Sequence, residues 1–451
     1  MRRSRYVIAV PGPEGEYLFV NTFTGAMVIG TEDTLKILEG ETDFCDEEMR
    51  EDLVSAGFLT ELTPKEETEA AFKKLESIRP VFKEHTLFVF ILTYECNMRC
   101  DYCFQSYVFG RDEHWLQQKM TVNHVDAAFE AMERLNPDQQ NPVHLFGGEP
   151  LIYHNYDLVQ YILEKGTSLG KSFVIVTNGL EADKFIPLFE ENNIISLQIT
   201  VDGIQKIHDE RKKRLNGTGS FQRIIKSVDR LAEAGIVVYL KTAIDHSTVR
   251  SLPAFMEFIA DKGWIDNKYV IPFATPVRHH TEGGCYNFMA TLQEEDLDFL
   301  FENEATYETF WRGLYPLAQK LGFMDNWFPQ ISYCRHNPSQ TWFDPFGDIY
   351  LCTDSLGDKE HAVGTYYPEL TFNEQYYQWR KRTTFDMKSC HHCRFAMICG
   401  GGCGHHTYHN KGGILKSDCS FSKQVEKIYY PLLWKMFRKV KITGPQLHTK
   451  W

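Results

Sequence analysis

Six short apolar runs punctuate the chain between residue 86 and about 275, at 87–93, 142–146, 173–177, 196–201, 236–244 and 268–273. Between them lie segments with helical periodicity, such as Val122–Leu135, Tyr156–Leu169 and Phe221–Ala234. Strand and helix alternating at this spacing predict parallel βα units, and six such units fit a partial TIM-type barrel. Ahead of them, residues 1–80 have a different rhythm. Tyr6–Val10, Tyr17–Val20 and Ala26–Ile29 predict short strands separated by the turns at 11–15 and 21–25. Helical patterns follow at Thr34–Leu38 and Glu47–Leu59, so this module reads as winged-helix-like. Residues 64–83 predict a linker helix. Residues 279–333 read as an aromatic, helical bridge after the barrel segment (86–278). A cysteine-rich region from 334 to 451 ends in a basic amphipathic helix around Ser422–Val440.

Composition removes several function classes. A net charge of −13 argues against a nucleic-acid partner bound through a basic surface. The acidic run Asp46–Asp52 speaks against a DNA-reading winged helix. The apolar run before Cys96 has six residues, too few to cross a bilayer, so no membrane partner is expected. Met1-Arg2-Arg3-Ser4-Arg5 is basic but is followed by no signal-peptide core. The expectation is a cytoplasmic protein with reduced thiols, whose twelve cysteines serve mainly as metal or cluster ligands.

Cys96, Cys100 and Cys103 form C-x3-C-x2-C directly after the first apolar run. Three thiolates on one loop suit three corners of a cubane iron–sulfur cluster and leave the fourth iron open for chemistry. A structural zinc site would want a second Cys or His pair at similar spacing, and a redox CxxC has no need of Cys96. The second apolar run ends in Gly147-Gly148-Glu149-Pro150, where glycine permits close backbone approach and Glu149 can accept from an ammonium. The third ends in Thr177-Asn178-Gly179. The fourth ends in Asp202-Gly203, followed by His208-Asp209-Glu210-Arg211.

Together these motifs resemble the radical S-adenosylmethionine (radical SAM) superfamily. The resemblance implies that the open iron is chelated by the amino and carboxylate groups of SAM. Gly147, Gly148, Glu149 and Pro150 match the motif that holds the SAM amino group. By the same resemblance Asn178, Thr200 and Asp202 lie around the SAM ribose and carboxylate, and Tyr102 lies near adenine. Arg211 would pair with the SAM carboxylate or shape the substrate channel. The simpler readings are an Asx turn at Asp202 and a surface ion pair at Arg211.

Seven later cysteines follow the spacing C-x12-G-x4-C, then C-x2-C-x5-C-x3-C and a final cysteine. This resembles the SPASM domain of peptide-maturing radical SAM enzymes. The resemblance implies two auxiliary [4Fe–4S] clusters beside the SAM-binding one, three in all. Cys390, Cys393, Cys399 and Cys419 would hold the terminal cluster. Cys334, Cys352 and Cys403 would hold the nearer one, its fourth position open or filled by Cys285. Zinc sites are the competing reading of the C-x2-C pair. Cys45 reads as an ordinary side chain, and no histidine of this region is assigned as a ligand.

The resemblance extends to function. The N-terminal module is similar to the leader-binding elements fused to enzymes that modify ribosomally made peptides. It implies a precursor peptide as partner, docked through its leader, and an external electron donor such as a flavodoxin or ferredoxin. The expected reaction uses a 5′-deoxyadenosyl radical to install a crosslink, first of all a Cys thioether. A carbon–carbon crosslink and formylglycine formation by an anaerobic sulfatase-type maturase are the alternatives. A non-catalytic iron–sulfur electron carrier would have no need of the SAM motifs, and a peptide-binding scaffold with a dead barrel would bind leader yet fail to cleave SAM.

Overall fold

A computed structural model describes residues 1–41, 46–84, 86–277, 291–324, 327, 329–334 and 340–439. Cys45 and Cys285 lie outside the described residues.

Six parallel strands form the heart of the molecule, in the order they occur along the chain: Leu87–Ile91, Val143–Phe146, Phe173–Thr177, Ile194–Thr200, Val238–Ile244 and Val270–Pro276. Neighbours in sequence are neighbours in the sheet, and each crossover carries a helix. This is the partial (β/α)6 barrel that the alternation predicts. The helices form because one face of each is apolar at helical spacing. In Phe221–Glu233 the residues Phe221, Ile224, Ile225, Val228, Leu231 and Ala232 are all buried against the sheet. Leu145, Ile175, Leu197, Ile199 and Leu240 fill the core from the strand side.

The sheet does not stop at the barrel. Gln340–Phe343 pairs in parallel with the first barrel strand, Phe343 standing opposite Phe90. Asp348–Tyr350, Gly364–Thr365 and Thr371–Phe372 continue it as antiparallel strands. One ten-stranded sheet therefore runs through both the barrel segment and the cysteine-rich region. Phe343 seals the junction, its ring 6.0 Å from Phe88 and 5.8 Å from Phe90.

In the N-terminal module Val7–Pro11, Tyr17–Asn21 and Met27–Gly30 make an antiparallel meander. Helices Glu32–Glu39 and Glu47–Ser55 follow. The pattern predicts that the second helix continues to Leu59. It ends earlier because Gly57 takes a left-handed φ of 81°, freeing Leu59–Thr60 to pair with Arg2–Arg3. The linker helix spans Pro64–Glu84. In the bridge, helices Glu294–Glu302 and Glu304–Lys320 are described. The C-terminal helix starts at Ser420, passes through one wide turn at Val425–Tyr429 and runs on to Lys439. Its Trp434 ring packs so closely on Gly12 that a Cβ there would stand 2.0 Å from it. No helix among the described residues is long and apolar enough to cross a membrane.

Candidate active site

The first three barrel strands deliver their motifs to one mouth of the barrel, at the carboxyl ends of the strands. After Leu87–Ile91 the chain turns through Thr93–Glu95 into the cysteine loop. Gly147 and Gly148 lie directly beneath that turn. A Cβ on Gly147 would come within 2.4 Å of the Thr93 carbonyl, and one on Gly148 within 2.1 Å of the Glu95 carbonyl. Gly147 also has a φ of 138°. The amides of Gly148 and Glu149 donate to those same carbonyls at 2.9 and 2.7 Å. The glycines thus seat the cysteine loop as well as bordering the cavity.

That cavity measures about 350 Å3. Cys96, Cys100, Tyr102 and Cys103 line it from the loop, with Gly147, Gly148 and Glu149 from the second strand end, Asn178 from the third and Thr200 from the fourth. Pro150, Asp202 and Arg211 are not among the lining residues. Asp202 is buried behind the wall, where one oxygen accepts from the Ala243 amide at 3.2 Å and the other from the Tyr102 hydroxyl. Arg211 lies over the Tyr102 ring at 4.6 Å and donates to Asp245 at 3.0 Å and to the Ala243 carbonyl at 3.1 Å. Both residues hold Tyr102 in place against the cavity.

Glu149 is fully enclosed. Its carboxylate accepts from the Thr177 hydroxyl at 2.5 Å and from the amides of Asn178 at 2.6 Å and Leu151 at 2.9 Å. Burial still lifts its pKa to about 7. Asn178 donates to the Asn97 side chain at 2.8 Å and reaches Cys96 Sγ at 3.9 Å. Burial raises the thiols as well, Cys103 to about 11. Such thiols stay protonated until a metal displaces the proton.

Sequence reading missed Lys212. Lys212–Arg214 pairs antiparallel with Met98–Cys100, which sets Lys212 opposite Cys100. Its side chain is buried, lines the cavity and has Cys100, Asp202, Cys96 and Glu149 around it. Burial opposes its charge, but the acidic groups around it together outweigh burial and hold its pKa above the ordinary value. Gln198 and Lys241 also line the cavity. Gln198 and Thr200 are two apart on one strand, so they share the inward face. That period-two pairing of polar residues was the available signal. Trp342 and Thr353 reach the same cavity from the cysteine-rich region.

In that region Cys390, Cys393, Cys399 and Cys419 are electrostatic neighbours, though among the described residues no three donors are placed to hold one metal ion. Burial first, and then the neighbouring thiols, push Cys390 up to about 11 and Cys399 to about 12. Cys334 and Cys403 flank the buried Arg382, whose guanidinium donates to the Lys416, Gly401 and Gly402 carbonyls at 2.7, 3.2 and 2.8 Å. Cys352 lies toward the barrel mouth. It and Cys103 both act on the Tyr107 hydroxyl, and the next residue, Thr353, lines the SAM-motif cavity.

Residues 90–259 match the radical SAM superfamily. This part of the chain is a radical SAM domain. The fold of this domain binds a [4Fe–4S] cluster and SAM, and the domain is that of radical SAM enzymes. The chain is 24% identical over 337 residues to the cysteine-type anaerobic sulfatase-maturating enzyme of Clostridium novyi (strain NT), covering 68% of this chain and 84% of that one. The solved structure of native anSMEcpe with bound AdoMet and Kp18Cys peptide matches with a TM-score of 0.54 at 16% identity, over 78% of this chain and 98% of that one. Streptococcus suis SuiB bound to S-adenosylmethionine matches with a TM-score of 0.51 at 17% identity, over 93% of this chain and 99% of that one. At these identities the structural likeness is one of fold. With SuiB the likeness extends into the N-terminal module, since the uncovered 7% is smaller than that module.

Proposed function

We propose that this radical SAM enzyme installs a crosslink, a Cys thioether, in a ribosomally made precursor peptide whose leader docks on the N-terminal module. The observation that carries the reading is the position of Cys352. It sits beside the barrel mouth, next to a residue that lines the cavity. Cys334, Cys352 and Cys403 would hold the nearer auxiliary cluster with one iron free for a substrate thiolate. Cys390, Cys393, Cys399 and Cys419 would hold the terminal one.

The residues at the mouth fit the SAM-binding cluster. Three thiols of one loop line a cavity with a buried carboxylate and a buried lysine, and its volume is within the range of ligand pockets, roughly 300–1,000 Å3. Cys96, Cys100 and Cys103 would ligate the cluster. When bound, the cluster supplies the electron that cleaves SAM to methionine and a 5′-deoxyadenosyl radical, which takes a hydrogen from the substrate. Glu149 accepts from the SAM amino group. Lys212 meets the carboxylate, and Tyr102, braced by Asp202 and Arg211, borders the nucleoside. Thr200 and Asn178 offer polar contacts from the strand ends. Closing the thioether releases two hydrogens in all. One would leave as the hydrogen on 5′-deoxyadenosine, and the other as a proton from the thiol, with its electron accepted by the iron–sulfur cluster that Cys334, Cys352 and Cys403 would hold.

The leader would add a strand to the meander. Met27–Gly30 is its outer strand, with one strand partner and with Ile29 exposed, whereas the C-terminal helix packs near Val7–Pro11.

The test is anaerobic reconstitution, reduction and incubation with SAM and candidate cysteine-containing precursor peptides. The expected result is 5′-deoxyadenosine together with a peptide lighter by two hydrogens per modification, one cysteine no longer alkylatable each time. A peptide of that mass with every thiol alkylatable would replace the thioether by a carbon–carbon bond. The similarity to the Clostridium novyi sulfatase maturase favours a second reading, formylglycine formation. Its sign is an aldehyde in a sulfatase peptide.

A further inference from the structure

Away from the cysteine sets, a group of imidazoles joins two loops of the C-terminal region. His405 and His409 lie one turn apart on helix Gly404–Lys411, with ring centres 4.4 Å apart. His361, from the turn Lys359–His361, brings its ring centre within 5.0 Å of His409 and 6.4 Å of His405. Asp358 caps that turn and meets His361 Nδ1 at 2.9 Å. The carboxylate fixes the proton on Nδ1 and so leaves Nε2 with its lone pair. Nε2 is buried without a hydrogen-bond partner, and the His361 side chain is only 10% exposed. A buried acceptor left unmatched costs about 1–3 kcal/mol.

We propose that His361, His405 and His409 bind a divalent transition-metal ion of the zinc type, with Asp358 orienting His361. Two histidines at i and i+4 on one helix face are a recurrent zinc-binding pair. Zinc–nitrogen bonds of about 2.0–2.1 Å in tetrahedral geometry put imidazole ring centres roughly 5 Å apart. The three observed separations bracket that figure. Burial, with His361 beside it, lowers the basicity of His409. Among the described residues no three such donors already converge on one point. Ion entry therefore turns the rings of His405 and His409, which are partly and largely exposed. His406 stands apart, paired with Asp418 at 3.0 Å. The ion would staple the turn downstream of Cys352 to the helix that follows Cys403, and it stands independently of the bond the enzyme forms.

The test uses the full chain with its clusters reconstituted anaerobically, loaded with Zn2+ and desalted. About one zinc per chain is expected. Its K-edge absorption should show nitrogen or oxygen neighbours at about 2.0 Å and no sulfur at about 2.3 Å. His409→Ala, at an exposed position, should abolish retention of that zinc with iron content unchanged. Asp358→Asn should weaken zinc binding about 10- to 100-fold. Zinc with a sulfur shell, zinc retained by the His409→Ala protein, or no zinc in the parent protein would each overturn the proposal. So would loss of iron from His409→Ala, which would make the histidine a cluster ligand instead.

Discussion

Lys212 offers a test of the proposed SAM site apart from its cluster ligands. It stands opposite Cys100 but is not a ligand, and it is the buried cation of a cavity that also holds Glu149. Methionine matches its length but leaves the buried Asp202 and Glu149 without their cation, which costs stability. Iron content and unfolding of the Lys212→Met protein are therefore measured beside its SAM binding. A charged hydrogen bond contributes about 1.5–3 kcal/mol, so the Kd for SAM should rise roughly ten- to hundredfold. Calorimetric titration of SAM into the reconstituted protein measures this; an unchanged Kd would remove Lys212 from the SAM site. His208 makes a pH prediction. Its ring accepts from the Asp202 amide at 3.2 Å and contacts the Ser220 hydroxyl at 2.9 Å. Burial, with Lys212 and Arg211 nearby, depresses its pKa to about 3. Below pH 6.5 the unfolded chain takes up a proton that the folded chain refuses, so stability falls as pH falls. Between pH 6.5 and 5 this group costs about 2 kcal/mol. Glu149 and Asp344, both raised to about 7, act with the opposite sign. The readout is therefore the difference between the parent and His208→Gln in anaerobic denaturant unfolding: the variant should lose that part of the pH slope.

At the scale of elements, the paired glycines show what the sequence could and could not say. The six strands and the helices at 122–135, 156–168 and 221–233 were legible because burial on one face imposes a period. The cysteine loop and Gly147-Gly148 were legible because their chemistry sits in local spacing. That Gly148 lies under the backbone of Glu95 was not, since it depends on how two neighbouring strands end. The pairing of Lys212–Arg214 with Met98–Cys100 joins segments more than a hundred residues apart and has no periodic signature. For the same reason the barrel sheet's continuation into Gln340–Phe343 escapes a reading by segments. Arg211 looked like the cation of the site because its motif is recognisable, while the adjacent Lys212 lines the cavity. Gly148→Ala tests the loop-seating role. Its Cβ would meet the Glu95 carbonyl, so the cysteine loop must shift, at a cost of about 1–3 kcal/mol. The expected outcome is loss of iron from the SAM-binding cluster, read by iron analysis and by the altered electron paramagnetic resonance of the reduced protein. Gly110→Ala, where a Cβ meets nothing within 4 Å, should leave both unchanged.

At the scale of the whole molecule, iron counting tests whether the three proposed groups of thiols are separate clusters. The barrel-mouth group and the Cys352 side of the second group share Tyr107 as neighbour. Arg382 in turn has Cys403 and Cys334 near it together with Cys390 of the last group. A buried guanidinium between two sets of thiolates offsets repulsion that two anionic clusters would otherwise exert in a medium of low dielectric constant. If all three clusters form, the reconstituted chain holds about twelve iron atoms, four for each [4Fe–4S] centre. Replacing Cys96, Cys100 and Cys103 by alanine should leave about eight and abolish 5′-deoxyadenosine. Replacing Cys390 and Cys393 should also leave about eight, yet keep SAM cleavage under dithionite, since the barrel-mouth ligands are intact. If the substrate radical gives its electron to an auxiliary cluster, as proposed, peptide crosslinking should fall in that variant. Arg382→Met should weaken both auxiliary sites together, with iron falling toward about four. Zinc in place of iron at either late group, or full crosslinking without Cys390 and Cys393, would overturn the proposal at that point.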